Sequence, residues 1–213
     1  LAMRYDGLRQ LTSADIRPDS RVMFRRNVLT RLRTVAPFLS FDADPYAVLA
    51  EGRLYVMVDG YTSSSYFPYA ERMNGAINYV RNSVKATVDC YDGTVHLYVF
   101  DEADPLIKAW QKAFPALLEP ASAMSPTLRA HVRYPEDFLR VQARAYATYH
   151  MNDPMVFYNK EDRWAIAREN NGEDVAEMLP YYAVMKLPGE AHEEFVQMIP
   201  FTPFSVTQPK NNM

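Results

Sequence analysis

The sequence predicts an α+β fold, with helices packed around an antiparallel sheet of about five to six strands. Two observations carry this prediction. Apolar residues recur at helical spacing in some segments and at every second position in others, and short turn motifs join neighbouring strands, as in antiparallel hairpins. Because 48% of the 213 residues are apolar, the chain can bury a sizeable core. No linker demands a split, so we expect one domain over residues 1–213.

The clearest predicted helix spans residues 20–36, with Ser20 as the expected N-cap and Pro37 as the stop. Its apolar stripe falls at helical spacing and comprises Val28, Leu29, Leu32, Val35 and Ala36. Residues 1–10 are expected to form a shorter helix. The chain therefore begins with a helical part before its first strands.

This N-terminal helical part, residues 1–36, is basic, although the whole chain has a formal charge of −3. It holds eight Arg against three Asp, a balance of +5, so the mixed sheet and helices of residues 37–213 carry −8. A basic layer can pair with an acidic body or contact an anionic membrane surface or nucleic acid. Pairing with the body is favoured because the arginines occur singly or in pairs. Since arginine and aromatic residues are not densely interleaved, we expect no nucleic-acid partner.

The period changes to two in the segment YAVLAEGRLYVMVDGY, which predicts two short strands joined at Glu51-Gly52. The strongest local prediction is a hairpin with strands at 83–91 and 94–100. Its two-residue turn is Asp92-Gly93, because glycine takes the positive φ that such a turn requires. Cys90 falls on the apolar side of the first strand, where a small buried residue is expected. As the only cysteine, it excludes an internal disulfide and a zinc site built from cysteines.

Helices are expected again after the hairpin, because prolines stand where a first helical turn accepts them. The predicted helices cover residues 105–114, 126–132 and 135–150. Residues 168–178 are expected to be an exposed, mobile loop. Pro188-Gly189 then separates two late strands, which are predicted near 181–187 and 195–201.

The stretch VDGYTSSSYFPYAE, residues 58–71, is the first candidate site, and it is expected to leave the end of a strand. Its three serines, Ser63, Ser64 and Ser65, lack the G-x-S-x-G pattern of a nucleophile elbow, which favours loop hydrogen bonds over catalysis. The flanking aromatic residues can form a lip that stacks on sugars or peptide side chains. These residues are Tyr61, Tyr66, Phe67 and Tyr69. Packing within the protein is the alternative.

The segment YHMNDPMVFYNKEDRW is the second candidate site, because it places an imidazole and carboxylates close together in sequence. His150, Asp153 and Asp162 could bind a divalent metal or act in acid–base chemistry. Their spacing matches no defined ligand motif, and Asp153 before Pro154 is also typical of a helix cap at a turn.

The segment FDEADP is the third candidate site, with carboxylates at a strand end. Asp101 and Asp104 could help to hold Ca²⁺. The favoured interpretation is that Asp104 caps the helix that begins at Pro105. Glycine-rich phosphate loops and paired zinc-ligand motifs are absent from the sequence, so we expect no cofactor.

Several long segments of the sequence, taken in order, are specific enough to identify a relationship. Among them are INYVRNSVKATVDCYDGTVHLYVFDEADPLIKAWQKAFP, RYPEDFLRVQA and YHMNDPMVFYNKEDRW. They closely resemble uncharacterised protein family 0182, and the resemblance extends over nearly the whole chain. It implies a large bacterial membrane protein, in which a block of membrane helices precedes a long region outside the cytoplasmic membrane. We therefore expect this chain to be an internal fragment of that extracytoplasmic region, located at the cell membrane but without a span of its own.

The resemblance implies no known activity, so the expected function rests on what the residues offer. The first hypothesis is a binding or interaction module, which works with the rest of the same membrane protein and recognises an envelope component or a partner protein. The alternative is a cell-envelope hydrolase or a metal-assisted enzyme. A third possibility is that the domain serves to oligomerise the membrane protein. The residue pattern leaves the oligomeric state open.

Overall fold

The computed structural model describes residues 13–14, 17–20, 25–73, 75–172 and 174–204. Within them the helices are α1 (Val28–Val35), α2 (Pro105–Ala113), α3 (Pro126–Arg129), α4 (Glu136–Tyr149) and α5 (Pro154–Asn159). The first six strands are β1 (Ser40–Phe41), β2 (Tyr46–Ala50), β3 (Arg53–Ser64), β4 (Tyr79–Asp89), β5 (Val95–Val99) and β6 (Leu118–Pro120). The later strands are β7 (Trp164–Ile166), β8 (Arg168–Asn171), β9 (Asp174–Glu177), β10 (Tyr181–Met185), β11 (Glu194–Met198) and β12 (Phe201–Pro203).

The main sheet has six strands, and this confirms the predicted α+β class. Its order is β1-β3-β4-β5-β6, and β2 pairs with β3 beyond the end of β1. The pairings are antiparallel except that of β5 with β6, which is parallel. The later strands form two-stranded antiparallel units, which are β7 with β12, β8 with β9, and β10 with β11.

One face of the main sheet packs against α1 and α2 and forms the larger core. Its buried members are Leu32, Ala36, Leu39, Phe41, Val58, Val84, Ala86, Val88, Leu97, Val99, Ile107 and Leu118. Successive side chains of a strand point to opposite faces, so the alternating residues of β4 and β5 supply the centre of this core. The burial of so many aliphatic side chains is the main stabilising contribution to this half of the fold.

The other face of the sheet is also covered, by the segment around α3 and by α4. A smaller apolar cluster lies there and comprises Val48, Ala50, Met57, Tyr98, Met124 and Leu128. Because of this second layer, the polar positions of the central strands are buried as well. The alternation in β4 therefore separates an apolar face from a polar face, and both of these faces are inside the protein.

The first predicted hairpin is confirmed, but its second strand is longer than expected. Glu51 and Gly52 both have positive φ, at 53° and 74°, as a type I′ turn requires. Strand β3 then continues through Ser63 and Ser64, which pair with Val80 and Tyr79 of β4. The first two serines of the stretch therefore belong to the strand, and the loop begins at Ser65.

The hairpin of β4 and β5 lies where it was predicted, but the prediction of a two-residue turn at Asp92-Gly93 is wrong. Residues 90–94 connect the strands, because the Asp89 carboxylate accepts hydrogen bonds from the backbone of Tyr91 at 2.7 Å and Asp92 at 3.3 Å. These bonds end the strand at Asp89. Cys90 consequently lies in the loop and is exposed, so the prediction of a buried cysteine is wrong.

Helix α1 begins later than predicted. Its N-cap is Asn27, whose side-chain oxygen accepts a hydrogen bond from the Thr30 amide at 2.9 Å, and Ser20 does not cap it. The predicted helix at residues 1–10 lies outside the described residues. Helices α2 and α4 confirm the predictions at 105–114 and 135–150, and the short helix predicted at 126–132 ends at Arg129.

The segment predicted to be a mobile loop, residues 168–178, instead contains the hairpin of β8 and β9. The two late strands are confirmed as β10 and β11. Strands β7 and β12, which no pattern predicted, pair near the end of α4. Among the described residues, no helix combines the length and the apolar composition needed to cross a bilayer.

Candidate functional site

The connection between β3 and β4 carries a group of exposed aromatic side chains. Tyr66 is 88% exposed, Phe67 is 49% exposed and Tyr69 is fully exposed; we call these three residues the aromatic lip. Tyr69 has a φ of 57°, a region that residues with a side chain rarely adopt. The ring of Phe67 stacks on that of Tyr79, with a centroid distance of 5.2 Å. The lip is thus anchored at one residue, while its two tyrosines face solvent.

Asn78 fixes the backbone of this loop. Its side-chain amide donates to the carbonyl of Phe67 at 2.7 Å and to that of Ala70 at 3.3 Å, and its oxygen accepts from the Phe67 amide at 3.0 Å. Its own backbone amide donates to the carbonyl of Ser64 at 2.9 Å. These bonds hold the aromatic lip in a defined position before any ligand arrives, which lowers the entropy cost of binding.

An open, mostly apolar depression lies beside the lip. It is lined by Ser64, Tyr66, Phe67, Pro68, Tyr79, Pro105 and Leu106. These residues come from the end of β3, the loop that carries the lip, the start of β4 and the first turn of α2. The depression is therefore assembled where these four parts of the fold meet.

Asp104 lies beneath this depression and joins the elements that line it. The carboxylate accepts hydrogen bonds from the hydroxyl groups of Thr62, Ser83 and Tyr79, the last two at 2.6 Å. It also accepts from the amide of Leu106 at 3.0 Å and so caps α2, as the sequence predicts. Burial acts to raise the pKa of Asp104, but these hydrogen bonds outweigh it and hold the pKa below its usual range.

The three predicted serines lie at the end of β3 and the start of the loop and do not form a common site. Ser63 is exposed on β3. The hydroxyl of Ser64 accepts a hydrogen bond from the Tyr66 amide at 3.1 Å, and the carbonyl of Ser65 accepts from the Arg72 side chain at 3.4 Å. The Ser64 side chain therefore makes a local hydrogen bond within the stretch, whereas Ser65 contributes its backbone carbonyl.

Tyr61, the remaining aromatic residue of the stretch, lies apart from the aromatic lip. It is buried, and its hydroxyl donates a hydrogen bond to the buried carboxylate of Asp42. Its ring stacks on Phe138 of α4, with a centroid distance of 6.1 Å. Tyr61 therefore joins the sheet to the second helical layer. Burial and the Asp42 carboxylate both raise the pKa of Tyr61 well above its usual value.

The second predicted group, His150, Asp153 and Asp162, contributes mainly to structure. The ring of His150 stacks on Trp164 at a centroid distance of 3.6 Å, and its Nδ1 lies 3.0 Å from the Tyr146 carbonyl. Asp162 is largely exposed, and one of its oxygens lies 3.8 Å from Nε2 of His150. Asp153 accepts from two amides of α5 and caps that helix. Among the described residues, no cluster of three or more His, Cys, Asp or Glu could hold a metal ion.

Asp101, from the third predicted group, lies at the surface near α2. It accepts a hydrogen bond from the Ala103 amide at 3.1 Å, and one of its oxygens lies 3.8 Å from the guanidinium of Arg81. Asp101 and Asp104 therefore differ in environment although they are close in sequence. Asp101 bonds to a backbone amide of a turn at the surface, whereas Asp104 is buried and bonds to residues of three elements.

The sequence predictions missed an ion network on the covered polar face of the sheet. Lys85 donates a hydrogen bond to Asp59, and both side chains are buried. Asn82 donates to Asp59 at 3.0 Å, and Lys85 also donates to the Arg133 carbonyl at 3.1 Å. Burial raises the pKa of Asp59 despite the nearby lysine. Charged residues inside the apolar runs of two central strands are the signal that could have revealed this network.

Arg133 extends this network to the surface. Its guanidinium donates to Asp44 at 2.6 Å and lies 3.8 Å from the ring centroid of Tyr46 and 4.8 Å from that of Tyr182. A cation near two aromatic rings gains from both. Burial is the main cause that raises the pKa of each tyrosine to about 12. The groups of this network bond to one another, so together they join the central strands to Arg133 and the surface.

Comparison with known proteins gives one consistent result. The model of a family described as "Uncharacterised protein family (UPF0182)" matches residues 1–213. A UPF0182 protein of Alkaliphilus metalliredigens is 51% identical over 94% of this chain, and one of Geobacter sulfurreducens is 53% identical over 95%. One of Nostoc sp. is 44% identical over 95% of the chain.

The matched region is a minor part of these relatives. The chain spans 22% of the length of the first two proteins and 21% of the third. No solved structure matches the chain.

Proposed function

The chain belongs to the uncharacterised protein family UPF0182, and on that premise we propose that it is an extracytoplasmic binding module of a bacterial membrane protein. The observation that carries the binding role is the aromatic lip, which is exposed, anchored and held in place by Asn78. The proposed location rests on the resemblance of the sequence to a family of membrane proteins.

The aromatic lip has the properties of a recognition surface. Aromatic side chains contribute large contact areas with few rotatable bonds, and they are enriched at the energetic centres of interfaces. Tyr66 and Tyr69 offer both an apolar ring and a hydroxyl group to a partner. Exposure of these rings in a loop that is otherwise well bonded supports a role outside the protein core.

The chemistry of the depression favours an apolar side chain of a partner protein over a sugar. Its lining is mostly apolar, and two of its polar groups already have partners. The Ser64 hydroxyl accepts from the Tyr66 amide, and the Tyr79 hydroxyl donates to Asp104. A sugar ring would need free donors and acceptors as well as a stacking surface. A protein segment with one apolar anchor needs the aromatic surface alone.

Photo-cross-linking tests this surface. A photoreactive phenylalanine analogue replaces Tyr66 in the full-length protein in its native membrane, and a matched control replaces Tyr91. Tyr91 is 84% exposed and lies on the loop between β4 and β5, away from the lip. We expect a defined adduct with another protein from position 66 and none from position 91. Equal adducts at both positions, or an adduct with glycan only, would contradict the proposal.

The exposed thiol of Cys90 tests the location. A membrane-impermeant maleimide is added to intact spheroplasts that carry the full-length protein, and Cys90→Ser serves as the control. We expect labelling that depends on Cys90 without lysis, because the thiol faces solvent and would lie outside the membrane. Labelling that requires lysis would place the domain on the cytoplasmic side and refute this part of the proposal.

A further inference from the structure

The β10–β11 hairpin has little cover from the rest of the described structure. None of its ten strand residues is fully buried. Val184 is 71% exposed and Phe195 is 59% exposed, and the two residues are directly opposite one another in the hairpin. A two-stranded hairpin on its own is marginally stable in water and is normally completed by further strands or by a helix.

One face of this hairpin already contacts the body of the protein. Tyr182 donates a hydrogen bond to the carbonyl of Tyr134 at 2.8 Å, and its ring lies beside Arg133. Side chains two residues apart on a strand share a face, so Val184 lies on the same face as Tyr182. Phe195 stacks on Tyr182 with a centroid distance of 4.9 Å and an interplanar angle of 4°.

Val184 and Phe195 therefore extend the surface through which Tyr182 contacts Arg133 and Tyr134, but they themselves are exposed. We call this pair the hairpin face. Together the two side chains expose an apolar patch that is continuous with the Tyr182 contact. Such a patch is costly to leave in water, and contiguous exposed apolar surface usually marks an interaction site.

We propose that the hairpin face docks onto another segment of the same, longer polypeptide. Two observations favour this occupant over a second copy or another protein. The patch continues a contact that is already intramolecular. In the relatives, about four fifths of the polypeptide lies outside the matched region, since the match covers 21–22% of their length. That remainder supplies ample chain to cover two apolar side chains.

The composition of the patch also separates it from the aromatic lip. The lip presents tyrosine hydroxyls on a loop, as transient interfaces do, whereas the hairpin face presents an aliphatic residue and a phenylalanine on regular strands. Apolar contacts of the latter kind resemble a domain core and are typical of permanent interfaces.

Cross-linking in the full-length protein tests this inference. A photoreactive phenylalanine analogue replaces Phe195, which is a conservative change, and the protein is purified in detergent as an equal mixture of isotopically light and heavy chains. The expected product is an intramolecular cross-link to a peptide outside the matched region. A light–heavy product would mean a second copy, an adduct with another protein would mean a separate partner, and no cross-link would mean an open face. Each of these three results would overturn the proposal.

Thiol accessibility in the same full-length protein provides a second readout. Val184→Cys is compared with Glu194→Cys, because Glu194 is exposed on the same hairpin and, as the neighbour of Phe195 in the strand, lies on the opposite face. If the hairpin face is covered, the thiol at position 184 reacts at least ~10-fold more slowly than the thiol at position 194, since modification requires access. Equal rates would overturn the proposal independently of the cross-link.

Discussion

Removal of the Asp104 carboxylate is expected to destabilise the protein strongly, because one buried group joins β3, β4 and α2. The carboxylate accepts three hydroxyl hydrogen bonds and one from the Leu106 amide. Loss of a helix cap costs about 1 kcal/mol, and a net hydrogen bond to a charged group contributes about 1.5–3 kcal/mol. Thr62 and Ser83 have hydroxyls 3.2 Å apart and can bond to one another after the change, which offsets part of the loss.

For Asp104→Ala we therefore expect a loss of about 4 kcal/mol in the free energy of unfolding. Asp104→Asn keeps an oxygen for the Leu106 amide and should lose about 2 kcal/mol. The control is Asp101→Asn, because Asp101 lies at the surface. Its carboxylate oxygen is 3.8 Å from the nearest guanidinium nitrogen, which belongs to Arg81. This substitution should change stability by less than about 1 kcal/mol.

Urea denaturation followed by circular dichroism measures these differences. With a slope of about 2 kcal/mol per molar urea, Asp104→Ala should lower the midpoint by about 2 M. The pH dependence supplies a second test. The folded-state pKa of Asp104 is lowered, so its contribution is present above the unfolded pKa of about 3.9 and is lost as pH falls below it. Asp104→Asn should flatten this acid-side loss. Equal effects of the Asp101 and Asp104 substitutions would refute the role of Asp104 as a hub.

Three further predictions concern other parts of the molecule. Lys85→Met should lower the free energy of unfolding by about 3–5 kcal/mol, because it leaves Asp59 buried without its cation. The added change Asp59→Leu should restore much of this stability in urea denaturation. A loss from Lys85→Met as small as that of a surface substitution would contradict this prediction. Cys90 should react with a thiol reagent in the folded chain without denaturant, because it is exposed, and a reaction that requires urea would show that it is covered. Asn78→Ala should speed hydrogen exchange at the Phe67 amide by about 10-fold, because that amide loses its acceptor; an unchanged rate would show that another group fixes the loop.

Much of the central sheet could be predicted from the sequence, because its signals are local. The alternation in β4 and the Glu51-Gly52 turn depend on residues that are close in the chain. The parallel partner β6 could not be predicted this way, since its pairing with β5 follows a helix. The exposure of Cys90 was also missed, because alternation continues in the sequence past Asp89 while the carboxylate of that residue ends the strand.

In the candidate site, too, the features with local sequence signals could be predicted and those that depend on distant residues could not. The aromatic composition of residues 58–71 indicated a lip, and the structure exposes Tyr66, Phe67 and Tyr69. Pro105 indicated that Asp104 caps a helix, as it does. Neither pattern shows that Asp104 also binds residues of β3 and β4, because those partners are 21 to 42 residues away.

Affinity measurements with the partner captured at position 66 test the central claim most directly. The partner is titrated with the full-length protein and with the variants Tyr66→Ala and Tyr91→Ala, which remove equally exposed rings from two different loops. If the aromatic lip is the binding surface, Tyr66→Ala weakens binding at least ~10-fold, and Tyr91→Ala changes it by less than about twofold. Equal affinities for all three proteins, or equal losses for both variants, would contradict the account.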